Sequence, residues 1–342
     1  MLSNAPIWML LGLFIAAAVV ILFSGLRMTD VADRIADRTG LGEALVGGVL
    51  LGAATSLSGT IVSITSALDG RVSLAFSNGV GGIAAQTAFL ALADLMHRRA
   101  NLEHAAAEIT NILQGVLLLL MLALPVLAYS APDVTFWGVH PVSFVLVAIY
   151  FAGLKAVRAA QEGPMWEPVR TDETEEDVPD EPEAEAGASK SLFVGFGLLM
   201  LVMGVAGWLI AQVAGEVIDR FGVSASLVGA LFTAVVTSLP ELVTTLAAVR
   251  RGALQLAVGG IIGGNTFDVL FLTISDVSYR EGSLYHAAGS ADYFWLSIGM
   301  IMTAVLTLGM LIRQKDGPGG IGVESAAILA IYVGAIAVQA VM

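Results

Sequence analysis

Two short polar motifs interrupt long apolar stretches in the second half of the chain, and they carry the side chains best suited to chemistry. Residues 237–241 are Thr-Ser-Leu-Pro-Glu, and residues 263–268 are Gly-Gly-Asn-Thr-Phe-Asp. Asn265 and Asp268 lie three positions apart and so share a helix face. Carboxylates, hydroxyls, amides and free backbone carbonyls are hard oxygen ligands, the kind that sodium and calcium select. The two motifs together predict a binding site for a small cation.

Pro240 and Glu241 fall near the middle of an apolar segment, where both are costly. Proline breaks the helix and frees backbone carbonyls, and a carboxylate at the centre of a bilayer costs about 2.5 to 3.5 kcal/mol on the insertion scale. These costs predict a functional role for Glu241 and Asp268. The alternative for both is a protonated acid that hydrogen-bonds a neighbouring helix, and the alternative for Asn265 is an amide that pins two helices together.

The composition predicts that transmembrane helices position these motifs. The 342 residues are 57% hydrophobic and 13% charged, with a mean hydropathy of +0.84, which a soluble domain with a solvated surface does not reach. Several apolar runs are about 20 residues long, the length of helix that crosses a hydrocarbon core. The chain has no cysteine, which excludes disulfides and thiolate metal sites.

The apolar runs predict an all-α membrane protein with ten helices, in two sets of five. We expect domains at residues 1–157 and 191–342, joined by an acidic linker at 158–190. Eleven acids and one arginine occupy residues 162–185, so the linker is predicted to be a disordered, solvated tether; cation sensing is the alternative, and a high-salt cytoplasm would also suit such a loop. The predicted helices are residues 6–26, 45–66, 74–96, 109–129 and 141–157, then 191–215, 227–249, 254–274, 293–312 and 325–341.

Lysines and arginines are distributed unequally between the two sides of the predicted membrane protein. With an outside N-terminus, thirteen of the sixteen fall in cytoplasmic loops, and Arg71, Arg220 and Arg280 lie outside. Cytoplasmic loops accumulate these residues. We therefore expect a multi-pass protein of the cell membrane, with both termini outside and the acidic linker in the cytoplasm.

The chain also contains an internal repeat. A shift of 182 positions, without a gap, aligns residues 37–94 with residues 219–276. The sequences Asp-Arg, Thr-Ser-Leu and Gly-Gly then occur at matching positions in both copies. The two copies are five predicted helices apart, an odd number, so they are expected to lie upside down relative to one another. Inverted repeats build alternating-access transporters whose site lies near the midplane. A duplication that only stabilises a helix bundle is the alternative.

The second copy resembles the second α-repeat of the cation/calcium antiporter superfamily, of the sodium/calcium exchanger type. The similarity rests on Ser-Leu-Pro-Glu at 238–241, Arg-Arg-Gly at 250–252, Leu-Ala-Val-Gly at 256–259 and the motif at 263–268. It implies secondary active antiport of sodium against calcium or protons, with rocking or sliding of the first and sixth helices. It also implies ion ligands from both copies. These are Glu241, Asp268 and Thr237 as metal ligands, with Ser238, Asn265, Thr55, Ser56 and Gln86 around them.

The first copy departs from the family pattern at the site. Where the family has Pro-Glu, this chain has Ser58 and Gly59, and Gln86 stands at the position that matches Asp268. Calcium prefers six to eight oxygens, several of them anionic, so a site with one carboxylate fewer suits a divalent ion poorly. Glu241 and Asp268 together would still balance one divalent charge, and a monovalent ion or a proton fits the electrostatics at least as well.

A second class of function stays open, a non-transporting membrane scaffold or ion sensor that kept the fold. Enzyme chemistry is not expected, because the chain has no His-Glu-x-x-His, Gly-x-Ser-x-Gly or nucleotide-binding motif. We expect contacts with the lipid bilayer and small cations, no nucleic-acid partner and no cofactor. Asp94, Asp276 and the four histidines fall at predicted helix ends or in loops, where we expect interfacial or solvated positions.

Overall fold

Helices account for the regular secondary structure of the described residues, apart from one bridge between Phe136 and Val139. The computed structural model describes residues 2, 4–39, 54–97, 100–169, 171, 190–315, 317 and 321–342. The first half contains α1 (Ile7–Thr39), α2 (Leu57–Leu68), α3 (Val72–Asp94), α4 (Leu102–Ala105), α5 (Ile109–Ser130) and α6 (Pro141–Glu162). The second half contains α7 (Lys190–Phe221), α8 (Ala225–Thr237), α9 (Leu239–Arg251), α10 (Leu254–Asp268), α11 (Leu270–Ser278), α12 (Leu284–Ala287), α13 (Ser290–Ile312) and α14 (Val323–Gln339).

Six helical segments among the described residues are long and apolar enough to cross a membrane: α1, α5, α6, α7, α13 and the stretch formed by α10 and α11. α8 and α9 form a seventh segment that is bent by 49°. α2 and α14 are shorter apolar helices of 12 and 17 residues, and residues 45–53 of the predicted second helix lie outside the described residues. The all-α membrane fold is thus confirmed, and the count of ten spans stays a prediction.

α3 runs through the interior of the protein. Nearly all of its 23 residues are buried, including the polar Asn78 and Gln86. Its many small residues let other helices approach closely, and it packs against α2, α8, α10, α13 and α14. α3 is therefore the central helix on which the site is built.

A helix break lies beside Glu241, one of the two predicted intramembrane carboxylates. Ser238 separates α8 from α9 with φ −97° and ψ 7°, and Pro240 lies in the first turn of α9, where its missing N–H has no helical partner to lose. This break was predicted from the proline. Beside Asp268 the chain stays helical: Val269, between α10 and α11, has φ −58° and ψ −29°, and Leu254–Ser278 forms one apolar segment of 25 residues.

α1 and α7 form a separate layer, and each is longer than its predicted span. They contain 33 and 32 residues, which corresponds to about 50 Å of helix, and they share a hydrophobic cluster that also includes Val62 of α2 and Val236 of α8. Each touches a site helix through a glycine. A Cβ atom built on Gly25 would lie 2.9 Å from Pro240 Cβ, and one built on Gly207 would lie 2.6 Å from the Ser58 carbonyl oxygen. Only glycine permits these two approaches.

Candidate cation site

A small cavity lies where α2, α3, α9 and the end of α10 meet. Its volume is about 10 Å³, measured as the space open to the centre of a water-sized sphere, which is room for one water molecule or one small ion. Both copies of the repeat contribute to its wall. The lining residues are Ser56, Gly59, Asn78, Gly82 and Gln86 from the first copy, and Thr237, Ser238, Glu241, Asp268 and Phe271 from the second.

Asp268 is held by donors from the first copy of the repeat. Ser56 Oγ donates to Asp268 Oδ1 at 2.6 Å, and Gln86 Nε2 donates to Asp268 Oδ2, also at 2.6 Å. The same Gln86 amide donates to Ser238 Oγ at 3.2 Å. Hydrogen bonds to an ionised acceptor are about twice as strong as neutral ones, so these contacts fix the orientation of the carboxylate in the cavity wall.

Glu241 presents a carboxylate oxygen that lacks a partner. It lies in the first turn of α9, where the partial positive charge of a helix N-terminus favours an anion. The Thr55 side chain hydrogen-bonds to this carboxyl group, whereas Glu241 Oε2 is buried and has no hydrogen-bond partner among the described residues. A buried oxygen without a donor is costly, and a cation or a proton would remove that cost.

The charge of the cavity wall favours a cation. Two carboxyl groups line it, and none of the described lining residues is basic. The hydroxyls of Ser56, Thr237 and Ser238 add neutral oxygen atoms of the type that sodium accepts. In the described part of the chain, no three His, Cys, Asp or Glu side chains form a cluster suited to a resident metal ion. The arrangement can hold one small cation, or protons on its carboxyl groups.

The structure brings together most of the residues predicted for the site. Thr55 lies behind the cavity wall and reaches Glu241. Asn265 lies outside the cavity: its amide donates to Thr87 Oγ1 at 3.1 Å and to the Ile83 carbonyl at 3.5 Å, so it joins α10 to α3. The other six predicted residues, which line the cavity, are Ser56, Gln86, Thr237, Ser238, Glu241 and Asp268.

The role of Asn265 as an ion ligand stays a prediction, and its position outside the cavity lining has a geometric reason. Residues three apart on a helix differ by about 60° in direction, which is enough to turn the Asn265 amide toward α3 while Asp268 faces the cavity. Of the two roles considered for Asn265, the structure supports the contact between helices.

The sequence analysis missed Asn78, Gly82 and Phe271. Asn78 Nδ2 donates to the Gly59 carbonyl and to Ser63 Oγ, both at 3.0 Å, and its Oδ1 accepts from Thr233 Oγ1 at 2.8 Å, so it ties α3 to α2 and α8. Asn78 and Gly82 precede Gln86 by eight and four positions, the spacing of one helix face. That spacing is a signal from which both could have been found.

Asp94 and Asp276 lie at helix ends as predicted, but their side chains are buried in the protein and not solvated. Asp94 accepts hydrogen bonds from the backbone N–H groups of Leu102, at 2.7 Å, and Gly322, at 2.8 Å. Asp94 therefore satisfies backbone donors at the start of α4 and at the N-cap position of α14, a helix from the other half. Asp276 accepts from the N–H groups of Leu284 and His140 and from Ser143 Oγ, at 2.9, 2.7 and 2.7 Å.

Two histidines expected to be solvated, His104 and His140, are buried as well. His104 Nδ1 lies 2.6 Å from the Arg313 carbonyl oxygen, and His140 Nδ1 accepts a hydrogen bond from the Val142 N–H at 3.2 Å. These rings fasten loops to the ends of helices, which explains their burial without any metal.

Glu103 is a further buried acid, in the short helix α4 outside the membrane-spanning segments. Ser325 Oγ donates to its Oε1 at 2.7 Å, and its Oε2 has no hydrogen-bond partner in the described part of the chain. Burial, and then the neighbouring charge of Asp94, raise the pKa of Glu103 to about 7. Its repeat counterpart is Tyr285, whose hydroxyl lies 2.9 Å from Ser143 Oγ, and Ser143 is the counterpart of Ser325.

These observations define the class of protein: a multi-pass helical membrane protein with an acidic, oxygen-lined cavity between its two halves. The model of the sodium/calcium exchanger protein family matches residues 9–156 and 191–341, so the chain belongs to that family of cation antiporters. The resemblance seen in the motifs is confirmed.

Two curated relatives match over most of their length. The inner membrane protein YrbG of Escherichia coli (strain K12) is 27% identical over 317 residues, 91% of each chain. The putative antiporter CaxA of Alkalimonas amylolytica is 25% identical over 338 residues, 96% of this chain and 97% of the relative.

Solved structures of exchangers share the fold. The H+/Ca2+ exchanger CAX superposes with a TM-score of 0.65 at 13% identity, over 96% of this chain and 85% of CAX. The sodium-calcium exchanger NCX_Mj superposes with a TM-score of 0.60 at 16% identity, over 97% of this chain and 99% of NCX_Mj.

Proposed function

We propose that this antiporter exchanges sodium against calcium or protons by alternating access, with Glu241 and Asp268 as the charged ligands. The observation that carries the proposal is the unpartnered Glu241 Oε2, buried beside a second carboxylate in a cavity of about 10 Å³ between the two halves. Thr237, Ser238 and Ser56 supply neutral oxygens, Thr55 orients Glu241, and Gln86 orients Asp268. Glu241 takes up the ion and a proton in turn.

We further propose that the ten helices form two inverted halves, residues 1–157 and 191–342, around this site. Contacts between repeat counterparts support this arrangement, because residues that a two-fold axis exchanges can touch only near the axis. Gln86 and Asp268 are counterparts 182 positions apart and are hydrogen-bonded to each other. Ile83 and Asn265 are also counterparts, and they are joined in the same way.

The moving parts in this proposal are α1 and α7, which slide over the helices that hold the site. Their glycine contacts support it. Gly25 and Gly207 are repeat counterparts, and so are the residues that they touch, Pro240 and Ser58. Each long helix therefore crosses the polar motif of the opposite copy at a point without a side chain, where small displacements meet little steric resistance.

The orientation in the membrane follows the charge distribution. We propose that both termini are outside and that the linker, residues 158–190, is cytoplasmic, because cytoplasmic loops accumulate lysine and arginine. Most of the linker lies outside the described residues. Within the linker, Thr171 contacts His104, with 3.0 Å between Thr171 Oγ1 and His104 Nε2.

Flux measurements in proteoliposomes test the proposed function. The wild type should couple an imposed sodium gradient to movement of protons or calcium. Glu241→Gln should reduce that flux about 100-fold, because the loss of a charged ligand costs up to about 3 kcal/mol. Glu162→Gln is the matched control, since Glu162 is exposed and paired only with Arg158 in the described residues. A wild type without ion-dependent flux under any gradient would favour a scaffold or sensor instead.

A further inference from the structure

The cavity is closed on one side by an aromatic ring that stands where a second glutamate would be. Gly59 is the repeat counterpart of Glu241. A Cβ atom built on Gly59 would lie 2.7 Å from Phe271 Cε2 and 3.1 Å from Phe271 Cζ. No side chain can therefore leave Gly59 toward the cavity while the ring stays in place.

The ring of Phe271 is held firmly. Phe271 is 3% exposed, and its Cβ would lie 3.3 Å from a Cβ atom built on Gly79 of α3. The ring of Phe267 packs edge-on against it, with 6.4 Å between the centroids. Because protein interiors are close-packed, a carboxylate could enter at Gly59 only if Phe271 were removed as well.

The oxygen atoms that remain suit one monovalent ion. Both oxygens of Asp268 already accept short hydrogen bonds, from Ser56 and Gln86. The Gln86 amide nitrogen, a donor, lies between Asp268 Oδ2 and Ser238 Oγ, and it opposes a cation that approaches those two atoms. Glu241 Oε2 is left as the carboxylate oxygen without a donor among the described lining residues.

We propose that the contact between Gly59 and Phe271 determines the charge of the transported ion, so that the cavity accepts a monovalent cation or a proton and excludes calcium. This inference rests on the proposed function and narrows its exchanged pair to sodium and protons. Calcium takes six to eight oxygen ligands, several of them anionic. Both Asp268 oxygens already accept hydrogen bonds, so Glu241 supplies the carboxylate oxygen without a donor among the described lining residues.

The first copy of the repeat provides an internal comparison. Phe89 is the counterpart of Phe271 and is also buried, at 7% exposure, but it is not among the described residues that line the cavity. Substitutions at Phe89 and Phe271 therefore remove similar buried area, and only those at Phe271 open the cavity next to Gly59.

Uptake of radioactive calcium and sodium-driven proton movement, measured in the same proteoliposomes, test the inference. The wild type should exchange sodium for protons, take up no calcium, and keep its sodium-driven flux when about tenfold excess calcium competes. The double variant Gly59→Glu with Phe271→Ala should gain calcium uptake. Phe271→Ala alone should gain none, and Phe89→Ala, the matched control for lost burial, should keep the wild-type selectivity.

The two proposals fail in different ways. Calcium uptake by the wild type at a rate similar to that of sodium would overturn the monovalent assignment and leave antiport intact. A double variant that still exchanges sodium for protons and takes up no calcium would show that Gly59 and Phe271 are not what excludes calcium. If the double variant does not fold, the wild-type competition experiment decides alone. Absence of every ion flux would overturn the proposed function itself.

Discussion

The two halves of the molecule are alike at the ends of their helices and unlike at the centre. Asp94 accepts hydrogen bonds from the backbone N–H groups of Leu102 and Gly322, and Asp276 accepts them from those of Leu284 and His140. Shifted by 182 positions, the first set of residues becomes the second. The same contacts, made twice, hold the loops and the first turns of the following helices.

At the centre, the two copies contribute different chemistry. Glu241 and Asp268 of the second copy are acids, whereas their counterparts in the first copy are Gly59 and Gln86. Both copies therefore make the contacts that hold the helix ends, whereas the second copy alone supplies the two acids of the site.

Replacement of the helix-end acids by alanine should destabilise the protein, and Asp276→Ala should cost more than Asp94→Ala. Asp276→Ala would strand three donors and Asp94→Ala two, at about 1 to 3 kcal/mol for each buried unsatisfied group. We expect a loss of about 4 kcal/mol for Asp276→Ala and somewhat less for Asp94→Ala. Thermal unfolding of detergent-solubilised protein measures this.

Asp30→Ala is the control for that experiment, because Asp30 is largely exposed and has a 3.8 Å ion pair with Arg27; such pairs contribute little. Equal stability of Asp94→Ala, Asp276→Ala and Asp30→Ala would mean that the matched contacts do not hold the helix ends.

Substitution of Glu103 should remove a pH dependence of stability that its repeat counterpart, Tyr285, does not supply. Because burial raises the pKa of Glu103 to about 7 in the folded protein, above its unfolded value of about 4.3, the acid form stabilises the fold at low pH. That contribution, on the order of 3 kcal/mol, is lost as pH rises through about 7. Glu103→Gln should therefore flatten the change in unfolding temperature between pH 5 and pH 8.

Tyr285→Phe, at the counterpart of Glu103, is the matched control for this pH dependence. Burial raises the pKa of the Tyr285 hydroxyl far above its ordinary value, so this group stays neutral across that pH range. Tyr285→Phe should shift the unfolding temperature by the same amount at pH 5 and pH 8. If the unfolding temperatures of the wild type and of Glu103→Gln depend on pH in the same way, the raised pKa assigned to Glu103 is contradicted.

Alanine at the two close glycines should slow exchange in similar measure. Gly25→Ala and Gly207→Ala would each place a methyl group against the opposite motif, and overpacking of this kind costs about 1 to 3 kcal/mol. We expect roughly tenfold slower flux with little change in the apparent sodium affinity. Gly12→Ala, where nothing lies within 4 Å of the added Cβ, should leave flux unchanged; equal slowing there would exclude a role for the contacts.

Much of this organisation could be predicted from the sequence, because apolar length, the repeat and costly polar residues are local or periodic signals. The break at Pro240 and the roles of Glu241 and Asp268 could be predicted because such groups are energetically unfavourable in the bilayer interior. The shift of 182 positions also located the missing carboxylate at Gly59.

What the sequence did not reveal depends on packing in three dimensions. The ring of Phe271 fills the space beside Gly59, and this contact joins two helices that are more than 200 positions apart in the sequence. Asn265 and Asp268 share a helix face, yet the difference of about 60° separates a contact between helices from a cavity wall. Burial of Asp94 and Asp276 depends on helices that are distant in sequence.

The central claim, that a cation binds at the carboxyl group of Glu241, is tested most directly by infrared difference spectroscopy of the reconstituted protein. Addition of sodium at fixed pH should change the carboxyl and carboxylate bands of the wild type and of Glu162→Gln. In Glu241→Gln that change should vanish. An identical sodium-induced difference spectrum in Glu241→Gln and the wild type would contradict the account.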